Sequence, residues 1–323
     1  MRRIGILTSG GDAPGMNAAI RAATRAALAQ GWEVYGVKSG FVGLLSDTIE
    51  PLHARDVGGI IQRGGTMLGS ARSTDFHNKA GLTQALRNLA RRDIEALVVI
   101  GGNGSQTGAH ALAQAGVKVV GIASTIDNDL FGSDVTIGVD TAVNITLDAI
   151  DKLRTTGSSH QRAFLVETMG RNCGYIALMT GIAGGAEVIA TPEREVEPQE
   201  VADRLAAAYR RGKTHAIVVV AEGVKNGAEA MMKHFADHRA TIGFGLRVTR
   251  LGHVARGGVP TAFDRVLATR FGVAAAEAVT AQKSGVMVAL RGADIATIPI
   301  AEALGEPKTL DDKFFADAEV FFG

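Results

Sequence analysis

The stretch LVVIGGNGSQTGAHALAQAG, residues 97–116, decides the fold class. Its apolar run from Leu97 to Ile100 stops at Gly101-Gly102, and a helix-like stretch begins near Ser105. A parallel strand hands over to a helix through a glycine-rich loop in this way. Such a junction is a habitual seat for phosphate, because the first turn of a helix leaves backbone N–H groups unpaired at the positive end of its dipole. Asn103, at the tip of the loop, carries no carboxylate to offer a metal ion.

Working outward, the same alternation recurs. RIGILTS precedes a helix expected from about Pro14 to Gln30, with Gly31 where a left-handed C′ residue belongs. EVYGVKS, ALVVIGG and VKVVGIA read as strands, and a helix is expected over 105–115. This βαβα order predicts a parallel sheet covered on both faces. The pattern restarts after DVTIGVD with a long helix from about Thr141 to Arg154, then strands at AFLVETMG, EVIATP and HAIVVVAEG. TAFDRVLATRFGVAAAEAVTAQKSG reads as one more amphipathic helix. The expectation is therefore an α/β protein of two doubly wound domains with a ligand cleft between them, a usual place for ligands in open sheets.

Composition narrows the class. A length of 323 residues suits two domains, and an apolar share of 46% supports sizeable cores. A net charge of +1 gives no electrostatic case for nucleic acid or an anionic membrane. The single cysteine, Cys173, excludes an internal disulfide framework, and no base sits at a telling spacing from it. MRRIGILTSGG runs straight into a strand with no signal-peptide core, and no apolar run reaches the ~20 residues of a membrane span. The chain reads as soluble and cytoplasmic.

Three glycine-rich strand ends carry the chemistry. TSGGDAPGMN, at 8–17, sets Gly10 and Gly11 before a helix, and GGNGS, at 101–105, is the second junction, where Ser105 suits a helix cap. STIDNDLFGSD, at 124–134, is the third. Its carboxylates Asp127 and Asp129 are two apart, which in an extended segment puts both on one side. Close carboxylates repel unless a proton or cation lies between them, so one suits a base and the other a metal shell; a solvated Asx-turn accounts for the same pattern. Arg72, Arg162 and Arg171 fall beside glycines or strand ends, and GLRVTRLGHVARGG gathers Arg247, Arg250, His253 and Arg256. Singly these are surface charges; together they suit phosphate groups. Glu222 ends a strand and can accept from sugar hydroxyls, or simply face water. Positioned phosphates, a base and distributed positive charge compose a phosphoryl-transfer site.

TSGGDAPGMNAAIR, RGGTMLGSAR, TIDND, SSHQRAFLVETMGR and LGHVARGG, in that order across nearly the whole chain, resemble the bacterial ATP-dependent 6-phosphofructokinases. The resemblance implies an ATP domain over 1–138 and 257–305, and a fructose 6-phosphate domain over 139–256 and 306–323. It implies ATP as donor with Mg²⁺, and phosphorylation of the sugar 1-hydroxyl, a committed step of glycolysis. Asp127 matches the catalytic base, with Arg72 and Arg171 as its catalytic companions. Gly11, Arg72, Ser73, Gly102, Asn103, Gly104 and Ser105 match ATP-binding positions. Thr125, Asp127, Met169, Gly170, Arg171, Glu222, His253 and Arg256 match sugar-phosphate contacts. Arg162 and Arg247 match residues lent by a neighbouring subunit, so a homotetramer with shared substrate sites is implied. Arg21, Arg25, Arg154, Gly185, Glu187, Arg211 and Lys213 match positions that bind allosteric effectors, while Ala54 and Thr214 depart from that pattern.

Asn103 is the sharpest departure, because ATP-dependent relatives carry a metal-binding aspartate in GGDGS. Asp129 is expected to carry the metal, with Asn103 acting through a water. Pyrophosphate-dependent relatives place an acid at the position of Gly104 and a lysine at that of Ser124; this chain has neither, which favours ATP. A pyrophosphate-dependent enzyme and a non-catalytic sugar-phosphate sensor remain the alternatives.

Overall fold

The computed structural model describes residues 2–71, 73, 76, 78–160, 162–242 and 244–319. It divides into two compact units, Met1–Thr141 with Arg256–Lys308, and Ala142–Ala255 with Thr309–Gly323. The strands in chain order are β1 (Arg3–Thr8), β2 (Glu33–Val37), β3 (Ile49–Leu52), β4 (Ala96–Gly101), β5 (Lys118–Ala123), β6 (Ala163–Thr168), β7 (Val188–Ala190), β8 (Ala216–Ala221), β9 (Leu246–Arg250), β10 (Val286–Arg291) and β11 (Asp294–Pro299).

The first unit holds a seven-stranded sheet of order β11-β10-β5-β4-β1-β2-β3. Its middle, from β10 through β2, is parallel, as the sequence alternation predicts. Every residue of β4 is buried, the signature of a strand covered on both faces. Both edges depart from the all-parallel expectation. β10 and β11 form an antiparallel hairpin across Gly292-Ala293, where Gly292 has φ 61°; a connection that short admits no crossover helix. At the other edge β3 returns antiparallel to β2, and it carries Pro51, tolerated where one side of the strand lacks a partner.

The second unit holds a four-stranded parallel sheet of order β7-β8-β6-β9. All of β8 is buried, and the core gathers Val, Leu, Ile and Ala from β6, β7 and β8 with Phe235 and Phe315.

Helix positions differ from the sequence expectations by a few residues. The first helix is Met16–Ala29, entered from Gly15 rather than at Pro14, and Gly31 has φ 80° as expected past its end. The second-junction helix begins at Asn103 and ends at Gln114. The long helix runs Val139–His160, longer at both ends than expected, and at its start a carboxylate from another helix accepts from the unpaired N–H groups. Asp264 Oδ1 accepts from Gly138 N–H at 2.8 Å and Oδ2 from Thr141 N–H at 2.8 Å and Thr141 Oγ1 at 2.5 Å. Asp264 is fully buried, and burial pushes its carboxyl up to about 6 against those hydrogen bonds. Among the described residues, no helix is long and apolar enough to cross a membrane.

Candidate functional site

Three loops of the first unit leave the same ends of adjacent strands: Ser9–Gly15 after β1, Gly102 after β4 and 124–138 after β5. A buried side chain that the sequence reading passed over fixes their spacing. Gln106 Nε2 donates to Gly101 O at 3.0 Å and Ile122 O at 3.2 Å, tying the end of β4 to that of β5. Gly121 is glycine for this purpose, since a Cβ there would lie 2.0 Å from Gln106 Oε1. Gln106 is a polar residue on a buried helix face, the one signal that could have marked it.

Ser105 is not the helix cap. The cap position belongs to Gly102, and Ser105 N–H itself donates to Gly102 O at 2.9 Å. The Ser105 hydroxyl is buried and, among the described residues, has no hydrogen-bond partner. A Cβ on Gly10 would lie 3.1 Å from it, so the hydroxyl sits by the first loop. Beside it, a Cβ on Gly104 would meet nothing within 4 Å, so the space over the loop is open.

Gly11 serves an arginine. A Cβ there would lie 2.5 Å from Arg256 Nη1, and that atom donates to Asp12 O at 3.1 Å. The same guanidinium places Nη2 3.8 Å from Asp127 Oδ1. Asp127 is 3% exposed. The structure thus brings Gly11, Asp127 and Arg256 together.

The extended geometry expected between Asp127 and Asp129 does not hold. Asn128 between them is left-handed, with φ 53°, so the alternation of a strand cannot place both carboxylates. Thr125 closes the turn, its Oγ1 accepting from Asp127 N–H at 3.1 Å. Asn103 Nδ2 donates to Asp129 O at 3.3 Å. A carbonyl oxygen only accepts, so this contact fixes which end of the Asn103 amide faces Asp129. Asp129 Oδ1 is buried with no hydrogen-bond partner among the described residues. A buried carboxylate oxygen left without a donor is a fitting ligand for a cation. Ser73 Oγ accepts from Phe76 N–H at 3.2 Å, and Arg72 lies outside the described residues.

In the second unit Met169, Gly170, Arg171 and Glu222 cluster where β6 and β8 end side by side, while Arg162 lies at the opposite end of β6. Gly170 has φ 140°, and a Cβ there would fall 2.4 Å from Cys173 O. Arg171 follows in the left-handed region, φ 52°, and is exposed. Glu222 Oε1 accepts from Gly170 N–H at 3.3 Å and Arg171 N–H at 2.9 Å. The carboxylate expected to meet sugar hydroxyls therefore also braces the loop that bears Met169, Gly170 and Arg171. Met169 is buried. Arg162, Arg247 and His253 are exposed, Arg162 just before β6, Arg247 on β9, an outer strand of the sheet, and His253 in the turn Gly252–Arg256.

The effector-type residues fall in two groups. Arg21 and Arg25 lie one turn apart on the helix Met16–Ala29, and Arg25 Nη2 reaches Ala54 O at 3.5 Å. In the second unit Arg154 Nη2 donates to Gly185 O at 3.1 Å, and Glu187 pairs with Lys213 at 2.9 Å while accepting from Ile217 N–H at 2.6 Å. Arg211, also exposed, ends the helix Pro198–Arg210.

A family model described as phosphofructokinase matches residues 3–279. The chain belongs to the phosphofructokinase family. It is 50% identical over 321 residues, 99% of each chain, to a protein of Listeria welshimeri named ATP-dependent 6-phosphofructokinase. It is 51% identical over 313 residues, 96% of each chain, to ATP-dependent 6-phosphofructokinase 1 of Thermus thermophilus. Among solved structures, phosphofructokinase from Saccharomyces cerevisiae superposes with a TM-score of 0.87 at 36% identity, covering 94% of this chain and 45% of the yeast one. Family membership accounts for the two α/β units of this phosphofructokinase relative, and the fold resemblance read from five motifs is borne out.

Proposed function

We propose that the chain transfers the terminal phosphoryl group of ATP to the 1-hydroxyl of fructose 6-phosphate, giving fructose 1,6-bisphosphate and ADP in glycolysis. The observation that carries this reading is Asp127, a nearly buried carboxylate at the end of β5 beside the Arg256 guanidinium, in a chain half identical to relatives named for the reaction. Asp127 takes the proton from the attacking hydroxyl as the O–P bond forms. Arg171 and Arg72 place positive charge on the transferring group.

The donor lies over the loops of the first unit. Gly102, Asn103, Gly104 and Ser105 form the helix entry that receives its phosphates, with Gly11 and Ser73 alongside. Gly104 brings no acid to the donor site, and a Cβ on it would meet nothing within 4 Å, which supports ATP over pyrophosphate. Mg²⁺, when bound, neutralises charge on the donor phosphates. Asp129 would hold it through Oδ1, which is buried with no hydrogen-bond partner among the described residues, and Asn103 would accept from one of its waters. Thr125, Met169, Gly170, Arg171, Glu222, His253 and Arg256 hold the sugar phosphate, with Arg162 and Arg247 serving a neighbouring copy in a homotetramer. Arg21, Arg25, Arg154, Gly185, Glu187, Arg211 and Lys213 take an anionic effector. The enzyme acts in the cytoplasm.

The deciding experiment is a coupled assay of purified protein on fructose 6-phosphate with ATP, ADP or pyrophosphate as donor. ATP is expected to support turnover. Turnover with pyrophosphate alone would replace the donor, and none with any donor would leave a sugar-phosphate sensor.

A further inference from the structure

Asn128 stands between the two carboxylates of TIDND, and neither the base nor the metal role uses it. Its backbone is left-handed, φ 53°, a region that asparagine tolerates better than most residues with a side chain. Its side chain is completely buried. Oδ1 accepts from Thr136 N–H at 3.1 Å, and Nδ2 donates to Asp134 O at 3.1 Å. An amide proton at one end and a carbonyl oxygen at the other leave only one orientation for the amide. Thr136 Oγ1 in turn donates to Thr125 O at 2.6 Å, so the ring closes on the residue two before Asp127.

The far side of that ring is anchored. Asp134 N–H donates to Leu290 O at 2.8 Å, Gly292 N–H donates to Asp134 Oδ2 at 2.6 Å, and Leu290 N–H donates to Ser133 Oγ at 3.1 Å. These bonds fasten 133–134 to the end of β10 and the turn after it, β10 being an interior strand of the sheet that pairs with β5 and β11. Asn128 therefore links the reactive turn, through one buried and one part-buried hydrogen bond, to the segment 134–136 that is itself fastened to β10, while its own backbone conformation sets where the chain turns after Asp127.

We propose that Asn128 is a positioning residue for phosphoryl transfer, whose buried amide fixes the direction in which Asp127 leaves the backbone. This rests on the kinase reading above. A base gains its effect only when held within hydrogen-bond reach of the hydroxyl, and small misplacements are costly. The requirement is narrow. Glycine keeps the backbone conformation and loses both side-chain bonds. Aspartate keeps an acceptor for Thr136 but turns an oxygen toward Asp134 O.

The test is a double-mutant cycle in the full-length enzyme, with Asn128→Gly made in the parent and in Asp127→Ala. In the parent, Asn128→Gly is expected to lower kcat 10- to 100-fold while KM for fructose 6-phosphate stays within about 3-fold. In Asp127→Ala it should leave the residual rate within about 2-fold, because the group it positions is gone. Asn128→Asp should fall between parent and glycine variant. Circular dichroism and urea midpoints establish the folded fraction by which each rate is corrected. Amide exchange over 125–137 should quicken in Asn128→Gly, a readout independent of turnover. Parent-like kcat in Asn128→Gly, or an equal fold-loss in both backgrounds, overturns the positioning role. An inactive parent overturns the kinase reading instead, so the two failures are distinct.

Discussion

Asn128 and Arg171 both lie in the left-handed region, each in a loop that follows a parallel strand, and the two loops hold them in opposite ways. After β5, Asn128 (φ 53°) is fully buried and ties its loop together with its own side chain. After β6, Arg171 (φ 52°) is exposed, and its loop is held from outside by Glu222, at the end of the neighbouring strand. The first arrangement suits a base whose direction decides the rate. The second fixes the backbone of Arg171 through its N–H while its side chain lies at the surface. Strain at a strand end is thus maintained by internal closure in one unit and by a neighbour in the other.

The largest effect that could break this comparison belongs to the base. Asp127→Ala is expected to lose roughly 10²- to 10⁴-fold in kcat, with affinity for fructose 6-phosphate unchanged or improved, because a carboxylate repels phosphate. Steady-state kinetics check it; a kcat within a few-fold of the parent would remove the reason for holding the loop rigid.

The closure continues to Gly138, whose N–H rests on Asp264. The folded carboxyl sits at about 6 against 3.8 for an unstrained one, so the folded state binds the proton more tightly than the unfolded chain. The stability this provides is complete below the unfolded value and is lost as pH rises through about 6. Relative to Asp264→Asn, the parent should gain up to about 3 kcal/mol between pH 7.5 and pH 4. Urea unfolding across that range measures it, and a flat difference would count against a raised carboxyl.

Smaller effects belong to the externally held loop. Glu222→Ala leaves the Gly170 and Arg171 amides without their acceptor and should raise KM for fructose 6-phosphate about 10-fold or more, with a lesser change in kcat, as expected for a charge-assisted bond worth roughly 1.5–3 kcal/mol. Glu222→Gln retains an acceptor oxygen and should recover part of that loss. Equal losses in both variants would mean that the charge of Glu222, not its grip on the loop, is what matters.

The smallest effect concerns the link between loops. Asn103→Ala removes the bond to Asp129 O and should raise the free Mg²⁺ needed for half-maximal rate a few-fold, in line with a neutral hydrogen bond of about 1 kcal/mol. Asn103→Asp trades that donor for charge and should lower the requirement. Asp129→Ala should raise it by more than Asn103→Ala does. If Asp129→Ala leaves the Mg²⁺ curve unmoved, Asp129 is not the metal's ligand.

The sequence by itself determined the parallel α/β order, the phosphofructokinase family and the residue types at three glycine-rich strand ends. These are local or motif properties: apolar runs, helix periodicity and glycines at strand ends are written in consecutive residues. The structure alone decided the antiparallel edges, since the partner of a strand such as Asp294–Pro299 depends on a two-residue turn and not on its own pattern. It alone showed that Gly11 makes room for Arg256, 245 positions further on, and that Gln106 staples two strands together. It also replaced the extended Asp127–Asp129 geometry with a left-handed turn, and Ser105 as a cap with a buried hydroxyl that has no hydrogen-bond partner among the described residues. Each of these turns on which groups meet across the fold: a buried donor or acceptor must find a partner wherever the chain brings one, and no local pattern names that partner in advance.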